Sequence, residues 1–198
     1  MGRKAREERQ ERREDIVAKR SQAKRKTTLM AAGILALIAV IVGYSSYVFV
    51  TMDSNVPGAP PGAGKLGDEH VHSSLLVRIF GDKFDFAVPS YQIKSSWIHF
   101  EDSDGTTIHR HATGVPLGFL FDSLNIGIDG KCFVFPDGRQ FCTNEDYSLK
   151  YYINHQPVSS INDYIFEDGD RILISFGPET PEEVEGQLIE LDSQIIKG

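Results

Sequence analysis

Six histidines, two cysteines and a few well-placed carboxylates are the residues of this 198-residue chain whose types and spacing can do chemistry. Five of the histidines fall in three short places: His70-Val71-His72, His99, and His109-Arg110-His111. Chance placement at this composition gives about 0.2 His-x-His pairs, and the chain has two. On a strand, residues i and i+2 share a face about 6–7 Å apart, close enough for two imidazoles to share a metal ion. Imidazole clusters suit copper, zinc or nickel, and Glu101, Asp102 or Asp104 could complete or orient such a site. The competing reading is a set of solvated or hydrogen-bonded strand histidines in an acidic domain. His155 stands alone in INHQP and reads as a turn residue.

Whether His99 joins the others depends on hairpin register. WIHFE-DSDG-TTIHRHA, residues 97–112, reads as two strands around a turn. With the four-residue loop Asp102–Gly105, His99 opposes Ile108 and faces away from His109. One extra loop residue, or a bulge, sets His99 directly opposite His109. The sequence leaves both registers open.

Cys132 and Cys142 frame CFVFPDGRQFC. Pro136-Asp137-Gly138 fits a three-residue hairpin loop, which pairs Phe135 with Arg139 and therefore Cys132 with Cys142. Directly opposed strand residues are close enough for a disulfide. A structural cross-strand bridge is the expectation. The alternative is a redox-active pair, although thiol oxidoreductases usually show C-x-x-C at a helix start, and this spacing has no helix signal.

The elements that must hold these groups are unevenly charged. Residues 1–26 carry 11 Lys/Arg against 5 Asp/Glu, while residues 27–198 carry 10 against 23. A body this acidic repels phosphate and argues against nucleic acid as a partner. Between the two, LMAAGILALIAVIVGYSSYVFV (29–50) is uncharged and long enough as a helix to cross a bilayer core. It exceeds the apolar region of a cleaved signal peptide and lacks a good cleavage site, so it reads as a signal anchor. Lys24, Arg25 and Lys26 abut it on one side and Asp53 on the other. The positive-inside rule then puts the N-terminus in the cytoplasm and the remainder outside, as a single-pass membrane protein in a disulfide-permissive compartment. The basic arm, residues 1–28, has acid–base pairs at helical spacing such as Glu8 and Arg12, and reads as a topology signal touching anionic lipid. Residues 51–69, rich in proline and glycine, read as a tether.

The outer module, residues 70–177, reads as α+β. VHSSLLVRIFGDKFDF forms a hairpin around Gly81-Asp82, pairing Phe80 with Lys83 and Arg78 with Asp85. VPLGFLFDSL (115–124) puts Leu117, Leu120, Phe121 and Leu124 on one helical face. Strands follow at 132–135, 139–142 and 149–153, and Arg171–Phe176 closes the sheet. A β-grasp-like arrangement with the helix crossing the sheet is the expected fold. Residues 178–198 form an acidic amphipathic helix that opens with a capping box, Thr180 to Glu183. Its stripe, Val184, Leu188, Leu191 and Ile195, packs back on the module or onto a partner in a membrane complex; packing back is the simpler expectation.

HVHSSLLVRIFGDKFDFAVP, WIHFEDSDGTTIHRHATGVPLGFLFDSL and YYINHQPVSSINDYIFEDGDRILISFG together resemble a family of membrane-anchored, archaeal-type extracytoplasmic domains. That family carries H-x-H on a first strand, H-x-H-D before a glycine turn, an I-H-I-E strand, T-L-G-x-x-F, and a closing D-x-I-x-x-x-Y-G. His70 and His72 match the first pair, and His99 and His109 match later histidines; Pro116–Phe121 matches the helix start. Glu101 stands where the family has a second histidine, and His111 adds one two residues after the family's own. The resemblance covers about half the chain and implies the fold and the site, not an activity.

No nucleophile–base pair, phosphate loop or cofactor fingerprint is present. Met1, Met30 and Met52 all precede the module, which argues against a methionine-rich Cu(I) carrier or a blue-copper centre. The leading expectation is therefore a binding protein rather than an enzyme. It would bind copper or zinc through His70, His72, His99, His109, His111 and Glu101, and hold or deliver it at the membrane surface. The alternatives are a thiol–disulfide oxidoreductase using Cys132 and Cys142, and a metal-free interaction module.

Overall fold

The computed structural model describes residues 2–51 and 58–198. The chain divides into a helical unit and a sheet unit, with the boundary after residue 53. The first unit is one helix, α1 (Gly2–Thr51). It contains no proline, so nothing breaks it between the basic arm and the apolar run. Its segment Lys24–Val48, 25 residues, is long and apolar enough to cross a membrane.

The second unit is a mixed α+β domain. Its strands are β1 (Val71–Ile79), β2 (Asp82–Lys83), β3 (Ile98–His99), β4 (Thr107–Arg110), β5 (Gly127–Ile128), β6 (Cys132–Val134), β7 (Gln140–Cys142), β8 (Ser148–Ile153), β9 (Gln156–Val158) and β10 (Arg171–Gly177). The main sheet runs β3-β4-β1-β10-β8-β9, with β2 on the end of β1, and β5-β6-β7 form a smaller sheet. Among the described residues β1 and β10 form the one parallel ladder, and the other ladders are antiparallel.

Those two central strands are apolar on both faces, as a sheet covered on both sides requires. Leu75 and Val77 of β1, with Ile172 and Ile174 of β10, enter the main core alongside Leu117, Leu120 and Phe121 of α2 (Leu117–Ser123). The helix starts two residues later than the sequence suggested because Pro116 holds the N-cap position in an extended conformation. On the opposite face, Leu76 and Leu173 meet Val184, Leu188 and Leu191 of α3 (Pro181–Ser193). Burying each of these side chains contributes about 2 kcal/mol, so the C-terminal helix is part of the domain. Its capping box is formed as expected, with Thr180 Oγ1 accepting from Glu183 N and Glu183 Oε2 accepting from Thr180 N. Ile195 lies beyond the helix end and is 78% exposed, so it drops out of the stripe.

Two further expectations are corrected. The first hairpin turns at Phe80-Gly81, both with positive φ (53° and 81°), and pairs Arg78 with Lys83 and Ile79 with Asp82. Two consecutive left-handed residues make the turn that suits the twist of a two-residue hairpin, which shifts the expected register by two. Arg78 is then free of Asp85 and donates instead to Gly81 O and Glu190 of α3. The second correction concerns residues 51–69. Those from 52 to 57 lie outside the described residues, but from Pro60 onward the segment is docked rather than extended. Ala63 is buried, Gly64 N donates to Thr113 O (2.8 Å) and Gly67 N to His111 O (2.6 Å), while Asp68 Oδ1 accepts from Thr113 N (2.8 Å).

In the small sheet Cys132 and Cys142 are direct partners and form a disulfide, on the register the Pro-Asp-Gly loop dictated. Asp129 Oδ1 accepts from Lys131 N and Cys132 N, which fixes the entry to that hairpin.

Candidate metal centre

The two His-x-His pairs lie on neighbouring antiparallel strands in a register that superposes them. His72 of β1 pairs with His109 of β4, and His99 of β3 pairs with the same His109. A single row of three histidines therefore crosses β3, β4 and β1. Continuing the β1–β4 register by two residues sets His70 opposite His111, just past the strand ends, and their ring centroids are 4.5 Å apart. His111 also lies 4.9 Å from His99, ring to ring, and His72 lies 4.7 Å from both His70 and His109. All five histidines thus gather on one sheet face. The group His70, His72 and His109 could hold a metal ion, since one ligand atom from each lies within 4.8 Å of the others.

Of the two open registers, the wider one is adopted. After His99 the strands diverge: Phe100 bridges to Gln92, while Thr107 and Ile108 turn to β1. Asp102 and Ser103 take left-handed φ values of 55° and 56°, and Asp104 N closes the turn on Glu101 O (2.9 Å). Gly105 is required where the loop crosses Phe86-Ala87, because a Cβ there would lie 2.4 Å from Ala87 N. Asp104 then uses its carboxylate internally, accepting from Thr106 N (2.7 Å), Thr106 Oγ1 (2.7 Å) and Thr107 Oγ1 (3.0 Å). It is an organiser of the loop rather than a partner of the histidines, and Asp102 is exposed in the turn.

Of the three carboxylates Glu101, Asp102 and Asp104, Glu101 reaches the cluster. Its Oε2 lies 3.1 Å from His99 Nε2 and its Oε1 3.4 Å from His109 Nδ1. Burial would raise the Glu101 carboxyl, but the His99 hydrogen bond and the neighbouring imidazoles hold it below the ordinary range. His109 and His111 are pushed below the usual imidazole range, first by burial and then by the other histidines, with Glu101 opposing. These shifts favour neutral rings at His109 and His111 beside an ionised Glu101, the protonation state that metal coordination needs.

The opposite sheet face anchors the strand that carries two of the histidines. Arg110, 3% exposed, donates to Glu69, to Ala112 O (2.8 Å) and to Phe166 O (2.7 Å), and stacks over the Phe166 ring. Two contributors to the site escaped the sequence reading. Ser95 O lies 2.6 Å from His99 Nδ1, and Asp168 Oδ1 accepts from His72 N (2.8 Å) while lying 3.5 Å from His72 Nδ1. Asp168 sits in the EDGD turn, legible only as a turn until the parallel β1–β10 pairing carries it to His72. His155 is apart from the cluster and pairs with Asp192 of α3 (2.9 Å).

Comparison with family models, with curated proteins and with solved structures finds no match for the chain, so its functional reading stands on this geometry.

Proposed function

We propose that this chain is a single-pass, membrane-anchored, extracytoplasmic metal-binding module that holds or delivers copper or zinc at the membrane surface. The convergence of His70, His72 and His109 within one ligand-sized space carries the reading. Imidazole donors suit Zn(II) and Cu(II). His99 stacks on His109 and His111 lies against His70, and Asp168 beside His72 and Ser95 O beside His99 are the outer partners that orient metal-binding imidazoles. His70 is exposed while His99 and His109 are buried, which gives a metal an entry side and a held side.

The membrane part of the proposal rests on the apolar span of α1, the basic residues that precede it and the acidic body that follows. The bilayer is then the first partner. The apolar stripe of α3 is used inside the domain, so a membrane-complex partner would meet its outer side, where Ile189 is exposed. The central parallel β1–β10 pair, with α2 in the core on one face, supports the β-grasp-like fold expected from the order of the elements. The disulfide sits in the small sheet in a plain hairpin, which favours a structural role over thiol–disulfide exchange.

The test is metal analysis of the full-length chain, purified in detergent without a polyhistidine tag, followed by competitive titration with Cu(II) and Zn(II). Saturable binding at or below micromolar metal is expected. A metal-free preparation with no saturable binding of either ion would overturn the reading.

A further inference from the structure

We infer that His99, Glu101 and His111 form a second metal position beside His70, His72 and His109, so that the cluster takes a pair of divalent ions. This rests on the metal-binding reading above and adds its stoichiometry. The observation that carries it is a mismatch of donors and acceptors at His99. Its Nδ1 is 2.6 Å from Ser95 O, and a carbonyl only accepts, so Nδ1 bears the hydrogen. With Nδ1 carrying its hydrogen, Nε2 can donate to Glu101 Oε2, 3.1 Å away, only when the ring is protonated; in the neutral ring a bare lone pair faces a second acceptor. Two acceptors at that distance repel unless a cation joins them.

A proton on His99 would satisfy that one contact and leave the rest unexplained. His111 Nε2 is buried without a hydrogen-bond partner, and so is His109 Nδ1, which lies 3.4 Å from Glu101 Oε1. Unpaired buried polar atoms are costly, and two of them in the cluster that holds the His99–Glu101 contact mark a place suited to a ligand. The His111 ring lies 4.9 Å from His99 and 4.5 Å from His70, so it adjoins one member of each group. Two imidazoles and a carboxylate make a donor set suited to Zn(II) or Cu(II). Glu101 points one oxygen at His99 and the other toward His109, the arrangement of a carboxylate that bridges two ions and offsets their mutual repulsion.

The experiment uses the full-length chain in detergent, stripped with chelator and loaded with Cu(II) alone, and reads copper per protein together with the electron paramagnetic resonance spectrum. The wild type should bind two equivalents, and its signal should broaden or vanish by coupling as the second ion enters. His99→Ala/His111→Ala should bind one equivalent with an uncoupled signal, and its retained ion also shows that it folds. His70→Ala/His72→Ala should likewise keep one, while Glu101→Gln, which preserves shape, should weaken the second equivalent at least about 10-fold. One equivalent in the wild type, lost in His70→Ala/His72→Ala and untouched in His99→Ala/His111→Ala, overturns the second position and leaves the metal reading standing. One equivalent lost in both double variants means a single shared site and also overturns it. No binding at all overturns both proposals.

Discussion

The rings of His72 and His109 meet edge to face, centroids 4.7 Å apart, because the two residues are paired directly across β1 and β4. Short cross-strand spacing of this kind needs no loop to close around a metal, since the sheet itself fixes both donors. Replacing His72 and His109 together by Ala should therefore weaken Cu(II) or Zn(II) binding at the His70 triad by at least about 100-fold, the upper range seen even for outer-sphere partners. His155→Ala, whose ring pairs with Asp192 instead, should bind like the wild type. Competition against a chelator of known affinity reads both, and equal losses in the two variants would contradict the assignment.

The disulfide makes a separate prediction. Cys132 and Cys142 are 10 residues apart in sequence, and closing a loop that short stabilises the domain by roughly 3 kcal/mol through the unfolded state. The full chain should show no free thiol until reduced, and reduction should lower the denaturant midpoint of the domain. Trp97, the only tryptophan and 4% exposed, reports that transition. Metal affinity should be unchanged by reduction, because the bridge lies in the small sheet and the histidines in the main one. Turnover of a scrambled disulfide substrate by the oxidised protein would favour the redox alternative.

The candidate site was legible in sequence to the extent that its physics is local. His-x-His spacing announces shared faces at His70/His72 and at His109/His111, and the Pro136–Gly138 loop announces the Cys132–Cys142 register through turn chemistry alone. The His99 register was not legible, because it is decided by contacts outside the hairpin: Phe100 bridges to Gln92, and Gln92 Nε2 donates to Asp104 O (3.2 Å). Asp168 was invisible for a similar reason, being nearly 100 residues from His72 in sequence and brought to it only by the parallel β1–β10 ladder. The Phe80-Gly81 turn escaped notice because a bulky aromatic rarely accepts positive φ. Here Phe80 gains ring contacts with Tyr147 and Phe176, at 4.9 and 5.2 Å between centroids.

Topology gives a third prediction. The Lys24–Val48 span of α1 carries basic residues at its start, so a cysteine introduced at Ser21 should face the cytoplasm and one at Ser159, exposed on the domain, should not. Both native cysteines are in the disulfide, so an added thiol is the only one free to react. In intact cells a membrane-impermeant maleimide should label the Ser159 variant and spare the Ser21 variant. The reverse pattern would invert the orientation, and with it the compartment proposed for the metal.

The last prediction is a pH dependence, read on the metal-free protein. Asp104 is held down to about 2: burial acts to raise it, but hydrogen bonds from Thr106, Lys197 and Thr107 outweigh that. A carboxyl whose folded value lies below its unfolded value contributes stability that is complete above about 4 and is lost as pH falls toward 2. A difference of nearly two units corresponds to about 2 kcal/mol. Asp104→Asn should thus unfold more easily than the wild type by about that amount at pH 6, with the gap closing as pH approaches 2. His109 and His111 act in a different window. Their folded values lie below the unfolded one, so both proteins should lose stability as pH drops below about 6.5, where the unfolded chain takes up protons first. Because that loss is common to both, it cancels in the difference, and denaturant midpoints followed at Trp97 between pH 7 and 2.5 separate the two effects. A wild-type-minus-variant gap that stays constant down to pH 2.5 would show that the Asp104 carboxylate does not hold the loop that presents Glu101.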